Sequence, residues 1–437
     1  MSATLPESRP DPYAAWRSRN YRLYAGAWFL MTFAKLVETA MVGVYIVFTL
    51  KQGPAAMGWL GLVQALPVIL LAIPGGQIAD HRDRRLVLAV MLTLTSSVSF
   101  GLLVACAAKA PAMSIYLLLF VGAIGQALGS PSRAALLPQI VPAESFSNAV
   151  TWSTSIFRIA SMVGPAAGGL MLWLLPEEQA VPAALAGVVL CRLLALGAML
   201  LLPGRAPQVS EPSITLETLA AGVRFVWNQK LILATITLDL FAVLLGGATY
   251  LLPVFAKEVF CDAPSVVGYF LAAEAAGAIV MAMLMTHLPP FRRAGRAMLW
   301  AVAGFGAATI VFGLSTSFWL SLAMMFLIGA FDNISVVVRH TLVHMLTPDA
   351  MRGRVSAVNN VFIVASNDLG GLESGLTAEW FGLVPSVVGG GIGTLLVVLA
   401  AAWKWPQILA IGSLKDIRPA LAVEAEERAE EETSARG

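Results

Sequence analysis

The stretch WFLMTFAKLVETAMVGVYIVF, Trp28 to Phe48, is long and apolar enough to cross a bilayer, yet it holds a lysine and a glutamate near its middle. Lys35 and Glu38 are spaced i,i+3, so on a helix they share a face and can neutralise one another. Facing lipid, such a pair would be costly, so it is expected to point into a helical bundle or a wet cavity. The rest of the chain supplies that bundle. Of its 437 residues, 58% are hydrophobic and 12% charged, and mean hydropathy is +0.78. Ordinary globular domains carry roughly twice that share of charge, and this much apolar surface does not fit in a water-soluble core.

Apolar windows of about 20 residues recur near 22–49, 55–79, 86–108, 112–137, 147–174, 181–203, 229–256, 264–288, 295–315, 317–345, 352–380 and 383–405. Twelve spans put both chain ends on one side. Arg9, Arg17, Arg19 and Arg22, the HRDRR loop, Arg292, Arg293, Arg296, Arg352 and Arg354 fall on that side, whereas the opposite loops hold Lys51, Lys109 and Lys257. By the positive-inside rule both termini are expected to be cytoplasmic. The polar N-terminal segment has no small-residue cleavage site closely after the first span, which reads as an uncleaved membrane helix.

Other classes fit poorly. Net charge is +2, and basic residues do not cluster with aromatics, so nucleic acid is not an expected partner. Cys106, Cys191 and Cys261 lack metal-ligand spacing. His340 and His344 lie one turn apart, but with no evident third ligand they read as polar or interfacial histidines, and no metal is expected. Hydrolase, zinc-protease, P-loop and dinucleotide fingerprints are absent, so an enzyme is not expected.

The organisation expected is a cytoplasmic N-terminal segment (1–20), a six-helix bundle (21–203), a cytoplasmic linker with an interfacial amphipathic helix (204–228), a second six-helix bundle (229–405) and a disordered acidic tail (406–437). The bundles are repeats. A shift of 210 lays PAAMGWLGLVQA (Pro54 to Ala65) over PSVVGYFLAAEA (Pro264 to Ala275), matching Gly58 with Gly268 and Gln64 with Glu274. A shift of 206 brings Arg133 to Arg339, Gly164 to Gly370 and Gly169 to Gly375. Two parallel repeats about an axis along the membrane normal are an arrangement of transporters with a midplane site.

Three motifs carry a family resemblance. GGQIADHRDRRLV (Gly75 to Val87) resembles the G-x-x-x-D-R-x-G-R-R loop of the major facilitator superfamily, with His81 and Asp83 standing where that motif has arginine and glycine. GPAAGG (Gly164 to Gly169) is similar to its antiporter motif, G-P-x-x-G-G. RHTLVHMLTPDAMRGRVSAVNNVF (Arg339 to Phe362) resembles the second-half signature of its enterobactin-exporter and macrolide-efflux branch. The resemblance covers residues 15–405 and implies an all-α polytopic membrane protein with twelve transmembrane helices in two pseudo-symmetric six-helix bundles.

Each motif also has a physical reading. Asp80, near Gly76, can make charge-assisted bonds with Arg84 and Arg85 that latch two helix ends together, or the arginines only set topology. Gly164, Gly168 and Gly169 permit close helix packing and Pro165 removes a backbone donor, which serves either antiport or a structural kink. Arg133 and Arg339 either snorkel to the interface or carry gating pairs.

Further charges lie well inside the spans. With Lys35 and Glu38, the residues Arg158, Arg192, Asp239, Glu274, Asp332, Asp368 and Glu373 set three bases against six acids. The resemblance puts all but Arg192 on spans that line or flank a central cavity. Arg192, on the peripheral sixth span, reads as a packing pair or a snorkelling arginine. The excess of acids favours proton handling or a cationic substrate. Desolvation disfavours a charged carboxyl at mid-membrane, and a nearby cation opposes this. Glu38 beside Lys35 therefore reads as a substrate contact, unless the pair is a static salt bridge. Asp239, Glu274, Asp332 and Asp368 have no cation within their own helical turn and are the candidates for carrying a proton, Glu274 and Asp239 first.

The expected function is a multi-pass inner-membrane secondary transporter, a proton-coupled exporter of a small, partly apolar compound such as a drug, macrolide or siderophore. It would act as a monomer in the bilayer with no cofactor, drawing on the proton gradient. A lysophospholipid flippase of the same fold is the alternative within the class. The rival from another class, a non-transporting receptor or sensor, would be expected to add an output domain, for which 204–228 and 406–437 are too short.

Overall fold

Backbone donors and acceptors in a bilayer core must find partners within the protein, which leaves the helix as the form an apolar span can take. The computed structural model describes Asp11 and residues 13–203, 216–260, 264–287 and 291–412, and its elements are helical throughout. The first half holds α1 (Arg19–Val44), α2 (Pro54–His81), α3 (Arg84–Ala107), α4 (Ala112–Ile140), α5 (Phe146–Leu174) and α6 (Glu177–Leu200). After α7 (Leu216–Asn228), the second half holds α8 (Lys230–Leu245), α9 (Leu252–Glu258), α10 (Pro264–His287), α11 (Ala294–Leu314), α12 (Phe318–Leu346), α13 (Asp349–Phe381) and α14 (Leu383–Lys404).

Local chemistry sets the ends. Ser18 caps α1 by accepting from the Tyr21 amide, Asp83 caps α3 by accepting from the Arg85 and Leu86 amides, and Pro54 opens α2, where its missing N–H costs nothing. The last turn of α1 widens into a π turn, Tyr45–Thr49. Eleven segments of the described chain are long and apolar enough to cross a membrane, with α8 and α9 counting together as Lys230–Glu258. The twelfth span is α13, 33 residues long, which carries Asn359, Asn367, Asp368 and Glu373. Exposed tryptophans mark both membrane boundaries: Trp59, Trp173, Trp319 and Trp380 ring one end, and Trp227, Trp300 and Trp403 lie toward the end that carries the termini.

The two halves meet through α2 against α13 and α5 against α10. Glycine makes both contacts possible. A Cβ on Gly58 would stand 3.1 Å from the Leu372 carbonyl and 3.3 Å from the Gly375 Cα, and the Gly169 backbone lies directly on Gly268. The repeat shifts carry Gly58 to Gly268 and Gly169 to Gly375, so one contact maps onto the other about the pseudo-twofold axis. Nearby, Lys257 Nζ donates to the Val47 carbonyl at 2.9 Å and Glu379 accepts from the Ala55 amide at 3.3 Å. These contacts sit at the end away from the termini, where the molecule is shut.

The linker helix α7 docks on the second half: Val226 joins Ile232, Ile236, Val343, Val355 and Val358 in one apolar cluster, while Val223 and Trp227 stay exposed. Residues 204–215 lie outside the described chain. The fold also continues past the expected end of the bundle. A short helix, α15 (Gln407–Ala410), buries Ile408 and Ile411, and the Gly412 carbonyl accepts from the Ala294 amide at 2.9 Å. The segment expected to be disordered from 406 is therefore ordered to 412, because its isoleucines complete the apolar surface at the foot of α11 and α14. Residues 413–437 lie outside the described chain.

Because the Gly375 Cα faces the Gly58 backbone with no room for a side chain, Gly375→Val is expected to cost about 1–3 kcal/mol as an overpacking change. A lowered Tm of the purified protein checks it, and spin labels at the shut end should report a wider separation of α2 and α13.

Candidate functional site

The innermost charges sort into four groups. In the first half, Arg192 Nη2 pairs with Glu38 Oε1 at 2.7 Å, Arg192 Nη1 donates to the Thr95 carbonyl at 2.8 Å, and the Ser99 hydroxyl donates to the second Glu38 oxygen. Both charged side chains are under a tenth exposed. The sequence expectation of a Lys35–Glu38 pair is thereby corrected. Spacing i,i+3 allows that pair, but the fork of a guanidinium from α6 satisfies the carboxylate and a backbone carbonyl together in a dry interface, which one ammonium on the same helix does not. Glu38 is accordingly a structural ion-pair partner, not an open substrate contact. Arg192 is the packing pair that the sequence reading allowed.

Lys35 is drawn chiefly by an acid of the second half. Its strongest opposite charge is Asp368 on α13, ahead of Glu38. Tyr250 donates to Asp368 Oδ1 at 2.7 Å. Tyr250 stands on a 3-10 turn, Gly247–Leu251, that interrupts the seventh span between α8 and α9. From the same turn Thr249 donates to Glu274 on α10. The break follows from Gly246 and Gly247: a Cβ on Gly247 would meet the Gly370 carbonyl at 3.0 Å and the Ser374 side chain, and one on Gly246 would meet the Phe305 ring. An interrupted span that offers side chains at mid-membrane is a known basis for transporter sites. Thr249 and Tyr250 escaped the sequence reading, although the adjacent glycines in an apolar window were the available signal.

In the third group Glu274 neighbours Asp332 of α12. Asp332 in turn lies among Asp239, Arg339 and Arg158. Asp332 is exposed, and since charged groups from both halves surround it, the space it faces is the cleft between them, not lipid. Arg158 reaches this cleft from α5. Gln64, the repeat mate of Glu274, is buried and donates to the Leu60 carbonyl of its own helix at 3.3 Å. Glu373 lies apart from this group, beside Ser374, which donates to it at 3.3 Å.

The fourth group supplies Asp239 with a partner from another helix. Arg339 Nη2 pairs with Asp239 Oδ2 at 3.1 Å, and Arg339 Nη1 donates to Asn359 at 3.3 Å. Asp239 does have a cation, supplied by a neighbouring helix, where sequence spacing showed none within its own turn. Arg339 holds α8 to α12 inside the second half, so this pair does not itself bridge the two halves. Its repeat mate Arg133 instead lies over the Trp28 ring, 3.5 Å from the centroid.

At the proposed latch, the Asp80 side chain lies outside the described residues. Gly76 is buried beside Gly75, where a Cβ would stand 2.9 Å from the Ala127 carbonyl. Arg84 donates to the Ala135 carbonyl at 3.0 Å, and Arg85 to the Met199 carbonyl at 3.2 Å and to that of Leu200. Both arginines bind carbonyls near the ends of α4 and α6. In GPAAGG, Gly164 lies against Leu36 and Gly168 against Met41 of α1, Gly169 meets α10, and Pro165 sits inside α5 without ending it.

This geometry agrees with the comparisons. The family described as transmembrane secretion effectors matches residues 11–428. The chain belongs to the major facilitator superfamily. It is 25% identical over 374 residues to the enterobactin exporter EntS of Shigella boydii serotype 18, covering 84% of this chain and 88% of the relative, and equally so to that of Escherichia coli O1:K1. A bacterial homologue of the human lysosomal transporter Spinster, in an inward-facing and unoccupied conformation, superposes with a TM-score of 0.67 at 18% identity over 92% of this chain and 100% of that one. A D-xylose–proton symporter gives 0.64 at 16% identity over 89% and 98%. At that identity the structures speak for the fold alone. The protein is thus a multi-pass inner-membrane transporter of this superfamily and not an enzyme.

Since Glu38 and Arg192 neutralise one another where water does not reach, removing one partner should be far worse than removing both. Glu38→Gln is expected to cost about 3–5 kcal/mol, and a Glu38→Leu, Arg192→Leu double variant should recover most of it. Folded yield and Tm of the two variants check this.

Proposed function

We propose that this transporter is a proton-coupled exporter of a small, partly apolar compound of siderophore type, acting by alternating access as a monomer with no cofactor. The observation that carries the reading is Glu274, whose main charged neighbour is a second carboxyl, Asp332, and to which Thr249 donates. Three other inner acids have cations nearby, Glu38 with Arg192, Asp239 with Arg339 and Asp368 with Lys35, and Glu373 lies apart beside Ser374. Glu274 has another acid as its main charged neighbour, which makes it the natural seat for an exchangeable proton. Asp239, an equal candidate from sequence, drops behind it because its carboxylate is engaged by Arg339.

The basic loops favour cytoplasmic termini. With that orientation the close glycine contacts face the periplasm, and the inner carboxyls would load from the cytoplasmic side. Substrate and proton then alternate: a proton arriving from the periplasmic side at Glu274 displaces the substrate, and its release to the more alkaline cytoplasm restores the site. Export is further supported by the activity named for the curated relatives. Alternating exposure needs each interface to part without breaking buried ion pairs, and the pairs Glu38–Arg192 and Asp239–Arg339 each lie within one half.

In everted vesicles with an imposed pH difference, the wild-type protein is expected to accumulate its substrate, enterobactin being the first compound to test. Glu274→Gln should lose accumulation against the gradient while substrate binding persists. Wild-type accumulation by Glu274→Gln would show that this carboxyl does not couple proton movement to transport.

A further inference from the structure

We propose that Arg133, together with Trp28 and Phe157, takes an anionic group attached to an aromatic part of the exported compound. The inference deepens the export reading and rests on it. It begins from a broken symmetry. Arg133 and Arg339 are repeat mates at a shift of 206, and the helices they reach, α1 and α8, begin at Arg19 and Lys230, a shift of 211 that carries Trp28 to Asp239. In each half an arginine from the fourth span therefore lies against the same position of the first span. In the second half that position is Asp239, ion-paired at 3.1 Å; in the first it is Trp28, with the guanidinium carbon 3.5 Å from the ring centroid. Where one repeat supplies a carboxylate, the other supplies an aromatic face.

The arginine is left short of partners. Among the described residues no carboxylate pairs with Arg133, its Nε–H is buried without an acceptor, and its Nη1 reaches only the Tyr24 hydroxyl, at 3.5 Å. A cation over a ring gains some attraction, but that does not use the guanidinium's in-plane donors. Those donors match a carboxylate, sulfonate or phosphate in a forked geometry. An arginine so placed within a membrane bundle is costly unless something answers it in the working cycle.

The surroundings fit a ligand that is aromatic as well as anionic. The Trp28 and Phe157 rings lie nearly parallel, 15° apart with centroids 5.8 Å apart, and Trp28 Nε1 donates to the Ser153 carbonyl at 3.2 Å, which fixes its ring. Phe157 is 46% exposed, and Arg158, whose charge interacts with Asp332 and Arg339 of the second half, follows it on α5. Arg133 lies seven residues before the end of α4 at Ile140, roughly two turns in from the end that carries the termini. An entering substrate would meet this arginine before it met Glu274. The excess of acids that suggested a cationic substrate is largely consumed by internal pairing, and Arg133 is a cation that the protein's own acids leave over.

Binding to the purified protein in lipid nanodiscs tests the proposal without transport. Equilibrium dialysis of radiolabelled naphthoate and its neutral isostere naphthamide should give a naphthoate preference of roughly tenfold to a hundredfold, the worth of a charged hydrogen-bonded contact. Arg133→Gln should erase the preference while naphthamide binding stays. Trp28→Asp, which gives the first half the acid that the second half has, should erase it too with Arg133 still in place. Arg133→Lys should keep part of it, and Tm values matching wild type exclude unfolding as the cause. Equal binding of the two probes by wild type, or a preference that survives Arg133→Gln, overturns the proposal. A naphthoate preference without pH-driven accumulation in vesicles would sink the coupling reading alone, and accumulation without the preference would sink the anion site alone.

Discussion

A charge in a hydrocarbon interior is tolerable only with a partner, and each inner element of this transporter is arranged around that constraint. Arg192 reaches from the sixth span into the first to meet Glu38, and Arg339 reaches from the tenth to the seventh to meet Asp239. Each pair closes within one half. The interface between halves holds glycine contacts, the Lys257–Val47 and Glu379–Ala55 hydrogen bonds, and the Lys35–Asp368 and Arg158–Asp332 attractions. Two rigid bundles joined by weak and separable contacts can rock against each other, whereas bundles joined by dry ion pairs would resist parting.

The glycines serve this division in two ways. Gly58 with Gly375 and Gly169 with Gly268 bring backbones together at one end, in contacts that the repeat symmetry interconverts. Gly246 and Gly247 do the opposite within a helix, releasing a turn whose Thr249 and Tyr250 hydroxyls hold Glu274 and Asp368. The same absence of a Cβ gives close packing in one place and an interrupted helix in the other.

Repeat symmetry is informative where it fails. Gln64 bonds its own helix while Glu274 faces a second acid, and Trp28 takes an arginine where its mate Asp239 makes an ion pair. On the proposed reading, proton handling and ligand recognition fall to different halves of one repeated plan. The second half holds five of the six inner carboxyls, and the first holds Glu38 and the aromatic stack with its partly answered arginine.

The sequence by itself determined the membrane class, the twelve spans, the repeat and the superfamily, because hydropathy, loop charge and the spacing of glycine, proline and arginine are local or periodic properties of a chain. It also picked out nearly all of the inner charges, since a charged residue in an apolar window stands out without any coordinates. What it did not determine was who meets whom. Lys35 and Glu38 look like partners at i,i+3, yet Glu38 goes to Arg192 and Lys35 faces Asp368, and Asp239, with no cation in its own turn, has Arg339. Pairing in a low-dielectric interior goes to whichever group offers the best geometry and the most satisfied donors. Those groups come from helices distant in sequence, so only the tertiary structure decides it.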